Sequence, residues 1–126
     1  MTEEQLQQLR DVNKALRDKN EFAHDFFVHK ARQEGYEPDF FGKVKPFTDE
    51  VTELTALWER LVESFVREYK PNQLYANQIT QTVDNFETVA IKSFYGNTSL
   101  KRQLETFKSI KYVLSQVDEA LNNLTN

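Results

Sequence analysis

Apolar residues recur at intervals of three and four along nearly the whole of this chain, and almost nothing interrupts them. Of 126 residues only three are glycine and three proline. Those are the residues that punctuate regular structure, so the pattern predicts a few long helices in place of many short strands. In a first segment, from Thr2 to about Glu34, Leu6, Leu9, Asn13, Leu16, Asn20, Ala23, Phe27 and Ala31 share one face, flanked by Phe22 and Phe26. Thr2 and Gln5 have the spacing of a capping box, and Gly35 supplies the C-terminal stop. Pro46 opens a second segment with the stripe Val51, Leu54, Trp58, Leu61, Val62, Phe65 and Tyr69, halted at Lys70-Pro71-Asn72. A third carries Tyr75, Ile79, Val83, Phe86, Ala90, Ser93 and Phe94 and breaks at Gly96-Asn97. Thr98 or Ser99 then caps a fourth, whose Phe107, Ile110, Leu114, Val117, Leu121 and Leu124 have the seam spacing of bundle packing.

No such helix buries its stripe alone. The short second and third links require antiparallel neighbours. The expected fold is therefore all-α: an antiparallel up-and-down four-helix bundle, one domain over 1–126, with a longer first link crossing one end. That link contains "EPDFFGKVKP", residues 37–46. Adjacent phenylalanines are unusual on a surface link. Phe40 and Phe41 are therefore expected to plug the apolar end of the core, with Asp39 capping a short turn.

In this topology the first and third links lie at the same end. Asp39, Phe40, Phe41, Lys43 and Lys45 then approach Ser93, Tyr95, Lys101 and Arg102. The starts of the second and fourth helices, whose free amides favour anions, lie there too. Asp39, Phe40, Phe41, Lys45, Lys101 and Arg102 form a candidate interaction end for an anion or an acidic partner. The same residues also permit a plain arrangement, with Asp39 paired to Lys101 or Arg102 and the other cations solvated. Counting inward from that end brings His24, Trp58 and Asn85 to one level. A buried indole N–H needs an acceptor, which Asn85 or His24 can supply, in a polar layer that fixes register or in a pocket. Tyr112 falls on the far side of the fourth helix from its seam, where a second copy or a partner helix would touch it.

Several chemistries are disfavoured. The chain carries a net charge of −4 with the signs interspersed, which argues against binding a phosphate backbone. It has no cysteine, hence no disulfide, thiol nucleophile or thiolate metal site. It opens on the acidic Thr2-Glu3-Glu4 without a signal pattern, and no run approaches the roughly 18 apolar residues of a membrane span. A soluble, cytoplasmic protein is expected. Glu21-x-x-His24 resembles half of a di-iron motif, but no second pair exists and Glu21 falls on the solvent side of its helix. Glu53, Glu59 and Glu63 read as a solvated face. No nucleophile elbow, phosphate loop or dinucleotide fingerprint is present, so neither metal nor cofactor is expected.

The ordered set Asp39-Phe40-Phe41, Lys45-Pro46, Leu57-Trp58, Asp84-Asn85-Phe86, Ser93-Phe94, Lys101-Arg102 and Tyr112-x-Leu114 resembles the YppE-like family. These are small proteins of low-GC Gram-positive bacteria. The likeness spans roughly residues 36–116 and implies a four-helix bundle, without bringing an activity. One departure is Gln103, where an aromatic or large residue usually follows the Lys-Arg pair. The expectation is a non-enzymatic protein-interaction module with a protein partner, monomeric or homodimeric, binding neither nucleic acid nor membrane. The alternative is a small-molecule binder or enzyme with a pocket inside the bundle around Phe41, Trp58 and Asn85.

Overall fold

The Thr2 hydroxyl accepts from the Gln5 amide at 3.0 Å, and the Gln5 side chain accepts from the Thr2 amide at 2.9 Å. This capping box starts α1 (Glu3–Phe26), which widens into a π-helical turn over Phe27–Ala31. Gly35 takes the left-handed backbone, φ 81°, in the link that follows. A second π-helical turn, Phe40–Val44, runs directly into α2 (Lys45–Tyr69), with Pro46 in its first turn. Lys70 closes α2 in the left-handed conformation, φ 46°, ahead of Pro71. α3 (Ala76–Lys92) and α4 (Leu100–Asn123) complete the chain, and the Ser99 hydroxyl accepts from the Arg102 amide at the start of α4. The computed structural model describes residues 1–124; residues 125–126, the end of the expected domain, lie outside the described residues.

The helices form a ring in which α1 packs on α2, α2 on α3, α3 on α4 and α4 on α1. Directions alternate. The N-terminal amine bonds Glu68 near the end of α2, whereas Lys19 reaches Glu50 near its start at 2.9 Å. Asn13 donates to the Leu114 carbonyl and Asn20 to the Phe107 carbonyl, so α1 and α4 run in opposite senses as well. Among the described residues there is no strand. No helix among them is long and apolar enough to cross a membrane.

The stripes face inward. Leu9, Leu16, Phe27, Trp58, Val62, Phe65, Phe86, Ile110, Leu114 and Val117 are all fully buried in one cluster. The stripes end sooner than their spacing suggests: Tyr69, Tyr75 and Leu124 are exposed, because each lies at a helix end beyond the packed layers. Gln103 is buried, and its side-chain amide donates to the Ser93 hydroxyl at 3.4 Å. A polar contact between α4 and the end of α3 thus stands where the family usually has an aromatic or large residue.

Phe40 and Phe41 do not plug the core. Phe26, Phe47 and Phe94 already fill this end, with ring centroids 5.0 Å apart for Phe26–Phe94 and 5.5 Å for Phe47–Phe94. Tyr36 adds an edge against Phe26 at 5.6 Å. From the second π-helical turn it is Val44 that enters the core. The phenylalanine pair stays outside the core cluster.

Candidate functional site

At the end where the first and third links meet, the geometry starts from Asp39. Its carboxylate accepts from the Gly42 amide at 2.9 Å, and its carbonyl accepts from the amides of Lys43 and Val44. The turn so formed holds Phe40 and Phe41 outward, 49% and 80% exposed, with their rings nearly perpendicular and 5.1 Å apart. Lys43 leans back over the Phe26 ring at 5.6 Å. Lys45 bonds Asp49 one turn on, at 2.7 Å. Asp39 therefore caps its own turn and does not pair with Lys101 or Arg102. Those two are exposed, and among the described residues neither forms an ion pair.

Behind the knob, Tyr36, Pro38, Tyr95 and Asn97 line a shallow cleft of about 410 Å³. Burial pushes the Tyr36 hydroxyl above the ordinary tyrosine range, and Asp39 and Tyr95 push it the same way. That hydroxyl is buried without a partner. Its raised pKa favours the neutral form, so its contribution is intact below the unfolded value of about 10 and is lost as pH rises through the folded value. Tyr36→Phe is expected to leave neutral-pH stability unchanged or to raise it by about 1 kcal/mol, and to reduce the alkaline loss. Thermal melts from neutral to strongly alkaline pH check this.

The polar layer differs from the one expected. Trp58 is fully buried, and its indole N–H donates to the Asn13 side-chain oxygen at 2.9 Å. Asn13 in turn donates to the Leu114 carbonyl at 2.9 Å and to Asp118 at 2.8 Å, and Asp118 also pairs with Arg17. Neither His24 nor Asn85 takes part. The register explains why: Phe22 meets Phe47 and Lys19 meets Glu50, which sets His24 level with the start of α2 and Asn13 level with Trp58. His24 is exposed and stacks on Phe107 with ring centroids 4.9 Å apart, while Asn85 accepts from Gln81 on the flank of α3. Asn13 was legible only as one of two asparagines, with Asn20, on the first stripe. Its position facing Trp58 followed only from the register. Glu21 is exposed, and among the described residues no group of three His, Asp or Glu side chains is placed to hold a metal ion. Tyr112 is half exposed on the outer face of α4.

Comparison with known proteins agrees with this fold. The family described as "Bacterial domain of unknown function (DUF1798)" matches residues 13–121. The protein YppE of Bacillus subtilis is 28% identical over 83 residues, covering 66% of this chain and 68% of that one. Its crystal structure superimposes with a TM-score of 0.89 at 23% identity, covering 94% of this chain and 96% of that chain. A protein of unknown function from Listeria innocua has a TM-score of 0.88 at 27% identity, covering 96% of each chain. A DUF1798 protein from Staphylococcus aureus has a TM-score of 0.81 at 19% identity, covering 91% and 96%. The matches under 25% identity speak for the fold alone.

Proposed function

The chain belongs to the DUF1798 family, and on that premise we propose that it is a cytoplasmic, non-enzymatic protein-interaction module that seizes its partner on the Phe40–Phe41 knob. The exposure of those two adjacent rings carries the reading. Phe41 forgoes about 2 kcal/mol that full burial would supply, and the half-exposed Phe40 about half of that. Aromatic anchors held rigidly at a surface are the side chains that dominate protein–protein binding energy. Here the Asp39 cap fixes the turn, and the two rings brace each other. Lys43 and Lys45 stand at the rim, which favours a partner with an apolar pocket bordered by acidic side chains. Lys101 and Arg102 are exposed at the start of α4. Tyr112 offers a separate contact for a second copy, which light scattering of wild type against Tyr112→Glu distinguishes from a monomer.

The test is photo-crosslinking in cells expressing the chain, with the crosslinker at position 41 or, as a control, at the exposed Glu53 of α2. A discrete adduct from position 41 alone, lost on Phe40→Ser, is the expected result. Identical adducts from both positions, or none from position 41, sink the reading. Phe40→Ser/Phe41→Ser is expected to change folding stability by no more than about 1 kcal/mol, because the rings add little to the core. Loss of the adduct is then a loss of binding.

A further inference from the structure

The outer side of the α1–α4 seam is open. Beside the Asn20–Phe107 contact lies a groove of about 600 Å³ whose α1 wall carries Glu21 and Asp25 and whose α4 wall carries Lys108 and Lys111. That is a volume suited to a small molecule. Among the described residues, ion pairs form at several other places, yet none of these four charges takes part in one. Two carboxylates thus line one side and two ammonium groups the other, with their charges unspent.

The floor has its own chemistry. His24 lies nearly parallel on the Phe107 ring, the planes inclined by 21°, and half-exposed Leu104 adds apolar surface beside them. Asn20 also lines the groove, although it is only 5% exposed. Its side-chain amide donates to the Phe107 carbonyl at 3.1 Å, but its oxygen is buried without any donor. That oxygen is shut off from solvent, so Asn20 closes the floor of the groove without offering a contact of its own.

A simple anion would bring its charge against Glu21 and Asp25, and a simple cation against Lys108 and Lys111. A ligand bearing both charges satisfies both walls. We propose that this groove binds a small zwitterion of the α-amino-acid class with an apolar or aromatic side chain. Its carboxylate lies toward Lys108 and Lys111. Its ammonium group lies toward Glu21 and Asp25. Its side chain rests on Leu104 and His24. This site is separate from the Phe40–Phe41 knob and stands or falls independently of it.

The test is a proton–nitrogen NMR titration of the full chain with L-phenylalanine at millimolar concentration. Saturable shifts are expected at the Asn20 side-chain amide and along residues 104–111. Glu21→Gln and Lys111→Gln change exposed residues and leave the fold intact, which thermal melts check; each is expected to weaken binding about tenfold, as loss of one charge-assisted contact does. Phenylalanine methyl ester, without the carboxylate, and phenylpropanoic acid, without the ammonium, are expected to bind about tenfold more weakly than the zwitterion. No saturable shift at the groove, shifts confined to another surface, or equal binding of the ester or the acid overturns the proposal.

Discussion

Asn13→Ala lowers the unfolding free energy by about 2–4 kcal/mol, read as a fall in the denaturation midpoint at unchanged slope. The magnitude follows from what Asn13 holds. It accepts the Trp58 indole N–H and donates to Leu114 and Asp118, all from a fully buried position. Truncation leaves the indole donor in an apolar core with no acceptor, which costs about 1–3 kcal/mol, and adds a small cavity. The decisive arm is Asn13→Leu combined with Trp58→Phe. Removing both partners removes the orphaned donor, so the pair is expected to be more stable than the separate losses predict. Asn13→Ala within about 0.5 kcal/mol of wild type would show that the indole finds another acceptor.

Gly96→Ala is expected to cost about 2–3 kcal/mol, toward the upper part of the range for overpacking. A β-carbon at Gly96 would stand 2.0 Å from the Ala31 carbonyl oxygen and 2.8 Å from its carbon. Both are backbone atoms at the end of the first π-helical turn, so no side chain can swing aside. Gly42→Ala makes the useful contrast. There the nearest atom, at 2.2 Å, belongs to the Asp39 side chain, which can move away and give up its cap. That loss is about 1 kcal/mol. The two variants therefore separate by thermal melting, with Gly96→Ala the lower. Equal melting points would mean that the third link yields where it crosses the end of α1.

The stripes carried most of the fold. Steps of three and four named Leu9, Leu16, Trp58, Phe86 and Leu114 as core, and each is buried. Caps were equally legible at Thr2 and Pro46, and to within one residue at Ser99, since capping depends on chemistry within a single turn. Failure came where depth along the bundle mattered. Residue counting placed His24 beside Trp58, but register is set by packing between helices and is not written in either stripe alone. It also came at Phe40 and Phe41, where apolar character argued for burial. Whether a link phenylalanine is buried depends on the space left by Phe26, Phe47 and Phe94, which come from three other segments. The groove between α1 and α4 was hidden for the same reason, because Glu21 and Lys111 come to line one groove only through the fold.

The α1–α4 seam also bears on the order in which the molecule assembles. Its bonds join residues 101 and 87 positions apart, whereas α2 and α3 are linked by a short turn. Closing so long a loop costs about 4 kcal/mol of chain entropy by the logarithmic rule, and little of that is recovered until both ends dock. The central hairpin is therefore expected to form early, with the seam closing last and opening first. Amides of α1 and α4 should exchange with solvent ahead of those facing the α2–α3 contact. Anything that grips both walls of the groove would act as a late clasp, slowing that opening without altering the folded form.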